Sequence, residues 1–417
     1  AGFTMAAKAE PNNRHGRYGS KENSAAFDKF RFFTIGFMTG LCAEQHLFKF
    51  RSRVERGKMI KIGLRWWHGG AQKYYYQMQG DDPYMRFFDG DFKNFDMRIH
   101  RILMELYCIC GGIYFDFSRN RPEDRAYKLL LKATIKWLTQ RLTHMFGDIW
   151  KMIIGCMPSG AWDTSHGDSW ICGFLFWLFF ELQFELNPHR RVNMNYYFAN
   201  GKVHFCCYGD DHNGSSHVGI VELINETAFA RFVARIFGME IQEIRNNVEF
   251  LSEPDFGGGL RSRGMVFLQR YFIRRPKHFP NTTAHILPYR PITKYYWKLP
   301  FCANGVRTGM DFLLACCGSA YDTMGTNLVA YEFIRHVFYS VSLVLGVSTA
   351  EIRKHYEQRL NDPKERDFTK IMMKANVTKE DLLNGFPSME GLIKLNVYDA
   401  DYLEDHDDAF DMYTNVN

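Results

Sequence analysis

The sequence lacks paired CxxC spacing, a secretory leader, a long uninterrupted apolar run, an internal repeat and any low-complexity linker. Each absence removes a class of function. Without CxxC pairs a structural zinc site is not expected. The 10 cysteines, among them Cys108-x-Cys110, Cys206-Cys207 and Cys316-Cys317, read as free thiols of a reducing compartment. Without a leader or an apolar segment of bilayer length, neither a secreted protein nor a transmembrane segment is expected. Charge is not lopsided either: a net +6 over 417 residues excludes nucleic-acid binding by bulk charge and leaves only local patches. Ala1 in place of an initiator Met fits a product cut from a polyprotein or an excised segment. What is plentiful is apolar and aromatic: 46% hydrophobic and 16% aromatic residues can bury the core of one large, multi-lobed chain.

Tyr208-Gly209-Asp210-Asp211 places two adjacent carboxylates at the tip of an expected β-hairpin. The run Val203-His204-Phe205-Cys206-Cys207 is strand-favouring, and His212-Asn213-Gly214-Ser215-Ser216 reads as turn and entry to a second strand. Neighbouring aspartates in a tight turn repel one another unless a cation or solvent compensates, and hard cations such as Mg²⁺ prefer such oxygens. A solvated turn accounts for an Asp-Asp pair equally well, as at Asp81-Asp82 and Asp407-Asp408.

A second carboxylate set lies upstream, in Asp91-Phe92-Lys93-Asn94-Phe95-Asp96. Phe87, Phe88 and Phe92 indicate a strand ending near Asp91. Ile99, Ile102, Leu103, Leu106, Ile109 and Cys110 then recur at helical spacing, with Arg98, His100, Arg101 and Glu105 on the opposite face. Asp96 falls near the helix start, where free N–H groups favour a carboxylate, so a cap is its plain alternative role. Between the two acidic motifs, Pro158-Ser159-Gly160 marks a turn that leads through Thr164 and Asp168 into a buried apolar helix over 171–180.

In this order the motifs resemble those of RNA-dependent RNA polymerases of positive-strand RNA viruses, most closely the picornavirus-like group. Asp91 and Asp96 match D-x4-D. Ser159, Gly160 and Thr164 match S-G-x3-T-x3-N, with Asp168 in place of the Asn. Gly209, Asp210 and Asp211 match Gly-Asp-Asp. Phe267-Leu268-Gln269-Arg270 is similar to the F-L-K-R motif, and Arg53-Val54-Glu55-Arg56-Gly57-Lys58 resembles the basic motif that faces the incoming nucleotide.

The resemblance implies an α+β right-hand polymerase fold, with an antiparallel palm sheet backed by helices. Residues 1–84 and 113–150 would be fingers, 85–112 and 151–272 palm, and 273–417 a mostly helical thumb, including Leu328–Leu345, with an acidic C-terminal tail. The stretch between Lys58 and Asp91 is short for the group, which implies truncated or reduced fingers. The implied activity is template-directed RNA synthesis from ribonucleoside triphosphates, with two Mg²⁺ ions for which Mn²⁺ can substitute. Asp91, Asp210, Asp211 and the backbone carbonyl of Phe92 would hold the ions. Asp96, Ser159, Gly160, Thr164 and Asp168 would read the ribose, and Arg53, Lys58 and Lys61 the nucleotide. Phe267, Leu268, Gln269, Arg270 and Arg274 would grip the primer strand, within a basic cluster that includes Arg261, Arg263, Arg275 and Lys277.

Two departures carry physical expectations. Two close carboxylates, Asp96 and Asp168, can hydrogen-bond only through a shared proton or a bridging water, unless Asp168 points elsewhere along its helix. No lysine lies between Lys202 and Lys277, so Arg245 is the nearest group for neutralising charge on pyrophosphate, or else a surface residue; a guanidinium is a poor proton donor. Trp66-Trp67 and Tyr74-Tyr75-Tyr76 suit core packing better than base stacking. The acidic end from Asp399 to Asp411 reads as a solvated tail. Implied partners are RNA template and primer, ribonucleoside triphosphates, other viral replication proteins and a protein primer. The implied location is the host cytoplasm at membrane-associated replication complexes. A reverse transcriptase and a catalytically silent RNA-binding subunit are the competing readings.

Overall fold

The computed structural model describes residues 59–80, 82–114, 122–144, 150–157, 164–188, 196–197, 200–299, 308–361 and 377–405. These mix helices with antiparallel sheets and divide into two compact units, the described parts of Ala1–Ile62 with Asp82–Asn247 and of Gly63–Asp81 with Val248–Asn417. The stretches 63–81 and 248–272, expected in fingers and palm, thus both belong to the second unit.

In the first unit the aromatic run Met85–Phe92 forms strand β1, with Phe87, Phe88 and Phe92 buried. Gln140–His144 and Trp150–Ile154, β2 and β3, make a separate two-stranded sheet. Val203–Tyr208 (β4) and Asp211–His217 (β5) are the expected hairpin, and with β1 and Ile241–Val248 (β6) they complete a four-stranded sheet of order β4-β5-β1-β6. β5 begins directly at Asp211, so residues expected to be turn are strand. Gly209 has φ +66°, and a glycine with positive φ at the first central position closes a two-residue turn matched to strand twist. The middle of β5 is Asn213-Gly214-Ser215-Ser216, buried and small because Phe88 of β1 occupies the space a side chain on Gly214 would need.

The helices of this unit include α1 (Phe95–Arg98), α2 (Arg101–Gly111), α3 (Pro122–Thr139), α4 (Thr164–Leu186) and α5 (Glu226–Phe237). α4 and α5 back the sheet through a phenylalanine core in which Phe176 stacks on Phe205 at 4.0 Å and meets Phe229 at 5.5 Å. The face of α2 corrects the expected pattern. Leu103, Met104, Tyr107 and Cys108 are buried, whereas Ile102, Leu106 and Ile109 are exposed. Tyr107 and Met104, left out of the aliphatic count, fill the core from the neighbouring stripe, and the Tyr107 hydroxyl reaches Nδ1 of buried His166 at 3.0 Å. The apolar run over 171–180 is only part of α4, which has 23 residues. α4 and Leu328–Leu345 of the second unit are both long and apolar enough to cross a membrane. In α4, Ile171, Leu175, Phe176, Phe179 and Phe180 are core residues of this unit.

In the second unit Glu253–Pro254 (β7) pairs with Leu260–Ser262 (β8), and the helix Gly70–Gln79 joins a three-stranded sheet of order β11-β10-β9, namely Ile286–Tyr289, Arg270–Arg274 and Val266–Phe267. Tyr74 stacks on Phe267 and Phe272 at 5.3 and 5.5 Å and approaches Phe250, which explains why 63–81 folds here. Trp66 packs on the same rings and Trp67 against the helical core, so these and Tyr74 are packed as expected, whereas Tyr76 is exposed. Around them lie mostly helices, including Gly309–Thr323, Leu328–Leu345 and Thr349–Asn361. The acidic end is not simply a tail. Ala400–Asp405 is helical, its Tyr402 N–H bonds Asp399 Oδ1 at 2.8 Å, and the buried Tyr402 ring lies 4.5 Å from His68. Residues 406–417 lie outside the described residues. The eight described cysteines are free.

Candidate functional site

Strand register assembles the acidic motifs. Antiparallel pairing of β1 with β5 puts Asp91 opposite Asp211, and the two-residue turn adds Asp210 beside them. Three carboxylates from two stretches far apart in sequence thus share one sheet end. Burial, then the charges of Asp210 and Asp91, push the Asp211 carboxyl up to about 6, with His212 opposing. Asp91 Oδ2 accepts 3.0 Å from Gln242 Nε2 on β6. Among the described residues no group of three or more His, Cys, Asp or Glu side chains is arranged as a ready metal cage. The aspartates form an open edge of oxygens whose repulsion a hard cation would relieve. That donor set suits Mg²⁺, which keeps waters and takes further oxygens from substrate phosphates.

The turn is held from two sides by groups that sequence reasoning missed. The Gly209 N–H donates to Ser169 Oγ at 2.8 Å, and that hydroxyl donates to Ser165 O one turn back in α4 at 2.6 Å. On the other side, Nδ1 of His212 lies 3.1 Å from Asp210 O and Nε2 lies 2.8 Å from Glu226 Oε1, with both side chains fully buried. Burial pulls the imidazole pKa down, but the charge and hydrogen bond of Glu226 and the Asp210 carbonyl outweigh it and raise it to about 9. Position next to Asp211 is the one sequence signal for His212. Glu226 carries none, because it arrives from the start of another helix.

The ribose-reading residues are only partly placed. Asp96 lies in the first turn of α1, Thr164 opens α4, and Asp168 is buried one turn further along. Backbone bonds from Met157 N to Asp96 O (2.7 Å) and from Cys156 N to Ile99 O (2.9 Å) bring the chain leading to residue 158 alongside α1. Positive φ at Gly155 and Cys156 makes the bend. Ser159, Gly160, Arg53 and Lys58 lie outside the described residues. Lys61 is buried, with its backbone N–H 2.9 Å from Cys207 O.

Two expectations need correction. Arg245 is not poised over open solvent: its Nε and Nη2 each meet an oxygen of buried Asp89 at 2.8 Å. In the second unit Arg270 is buried and ion-paired to Asp322, which also holds Arg290, and Phe267 is a core ring. Neither can grip an RNA strand as it stands, because the charge of one is neutralised internally and the other has no free face. Of that motif, Leu268 and Gln269 form the β9–β10 turn with positive φ, and Arg274 is exposed at the end of β10.

No protein-family model matches the chain, and no curated protein matches it in sequence. Among solved structures it is similar to the Sicinivirus 3Dpol RNA dependent RNA polymerase, with 16% sequence identity and a TM-score of 0.49 over 69% of this chain and 52% of that one. The chain therefore spans about half the length of that polymerase. The bearing on chemistry comes from the site's own geometry.

Proposed function

We propose that the chain catalyses template-directed RNA synthesis by nucleotidyl transfer. The observation that carries this reading is the pairing of Asp91 with Asp211 beside the Gly209-Asp210 turn, one open carboxylate edge at a sheet end. Asp91, Asp210 and Asp211, with the Phe92 carbonyl, would hold Mg²⁺, which when bound activates the attacking 3′-hydroxyl and neutralises the leaving pyrophosphate. The protein's own work is positional: Ser169 and His212 fix the turn, Gln242 restrains Asp91, and α1 lies alongside the chain that leads to residue 158. The fingers, palm and thumb arrangement, RNA and nucleotide partners, a protein primer and a place in membrane-associated viral replication belong to the same proposal. The test is Mg²⁺-dependent extension of a primed RNA template with ribonucleotides beside deoxyribonucleotides. Extension with ribonucleotides supports the reading; deoxynucleotide preference selects a reverse transcriptase, and RNA binding without extension a silent subunit.

The same assay weighs Asp168. If Asp168 and Asp96 compete as a carboxylate pair, Asp168→Asn supplies an amide donor and raises ribose discrimination by about tenfold, roughly one added hydrogen bond. The ratio of kcat/KM for ATP and dATP measures it. A ratio and a turnover both unimproved would remove the idea of a strained pair.

A further inference from the structure

His212 sits directly behind the turn, and both its ring nitrogens face acceptors. The Asp210 carbonyl can only accept, so Nδ1 carries a hydrogen and donates to it, while Nε2 faces a carboxylate oxygen of Glu226. Phe92, Phe205 and Phe229 wall it in at 5.0, 5.6 and 5.6 Å between centroids, which fixes its plane. Glu226 is fixed in turn. Its backbone N–H donates to Asn246 Oδ1 at 2.7 Å, and its carboxylate occupies the place where a side chain on Gly90 would stand. Gly90 is the register partner of His212 and lies between Asp89 and Asp91. The second carboxylate oxygen of Glu226 is buried and takes no hydrogen bond from any of the described residues. A side chain serving packing alone would not be a carboxylate with half its bonding capacity unused, since such burial is costly.

We propose that His212 and Glu226 are positioning residues for the carboxylate edge: Glu226 orients the ring, and the ring's Nδ1–H fixes the Asp210 carbonyl, setting the direction in which the Asp210 and Asp211 side chains leave the turn. The kinetic consequence rests on the polymerase reading, whereas the positional claim does not. Two isosteric variants separate positioning from space filling. The amide nitrogen of asparagine falls where Nδ1 was, and that of glutamine where Nε2 was. His212→Asn therefore keeps a donor to Asp210 O, and His212→Gln keeps one to Glu226.

The expected result is that His212→Gln lowers kcat by about 10- to 100-fold and raises the Mg²⁺ concentration for half-maximal rate, the usual scale for a group orienting a ligand, with nucleotide KM nearly unchanged. His212→Asn retains most of the rate despite its smaller volume. Hydrogen–deuterium exchange across 208–213, without metal or RNA, supplies the second readout: faster exchange in His212→Gln than in His212→Asn, with β1 unchanged. Glutamine performing as well as or better than asparagine in both measurements would mean that the ring only fills space, and would overturn the inference while leaving the polymerase reading intact. If no variant and no wild-type protein extends RNA, that reading fails and the exchange comparison alone decides the inference. Should His212→Gln not fold, Glu226→Gln, which removes the charge that orients the ring, is compared by the same exchange measurement and is expected to loosen 208–213.

Discussion

Under the proposed function, Asp210→Ala is expected to lower Mg²⁺-dependent extension by at least about a thousandfold, roughly 4 kcal/mol of barrier, while RNA affinity and the unfolding midpoint stay close to wild type. Asp210 is exposed in the turn and adds like charge to the edge shared with Asp91 and Asp211, so the change should alter stability by no more than about 0.5 kcal/mol. Its backbone carbonyl, the group His212 holds, survives the substitution. Loss of rate with intact folding is therefore attributable to the carboxylate. Rapid-quench extension and urea unfolding on the same preparation check both halves. A variant that extends RNA at the wild-type rate would remove the Asp210 carboxylate from the chemistry.

The hairpin was legible in the sequence because its signals are local: an apolar strand run, a glycine able to take positive φ, and two aspartates that no core would accept. The register of β1 against β5 was not. It pairs strands separated by most of the first unit, and only ordered motifs, not periodicity, suggested that Asp91 and Asp211 meet. Charge runs misled for a related reason. Arg270 stands in a basic stretch that reads as surface, yet Asp322, on a helix far along the chain, draws it inside. Helix α2 was misread where aliphatic residues alone were counted, since Met104, Tyr107 and Cys108 make the buried stripe while Ile102 and Ile109 face out. The supporting groups Ser169, Glu226 and Gln242 carried no sequence signal and His212 only its place beside Asp211, because each is an ordinary polar residue until the fold aims it.

Arg245 offers the second large effect, and one that tells a structural role from a catalytic one. Burial pushes the Asp89 carboxyl up to about 6 against the pull of the arginine, so near neutral pH the pair is ionised beneath the sheet. Removing one partner of a buried pair strands the other charge, and Arg245→Ala should cost about 3 to 5 kcal/mol of stability at pH 8. The sign with pH follows from linkage. A carboxyl whose folded pKa is raised above its ordinary 3.8 binds its proton more tightly in the fold, so stability falls as pH rises from about 4 through 6. Without Arg245 that folded pKa climbs further, and the deficit of the variant grows with pH: small at pH 5, where Asp89 can take a proton, and large at pH 8. Urea midpoints at the two values measure it. Asp89→Leu combined with Arg245→Met, which exchanges the pair for apolar packing, should recover most of the loss. Had the guanidinium served the leaving pyrophosphate instead, Arg245→Ala would lower turnover at unchanged stability, and the double variant would leave the rate equally low.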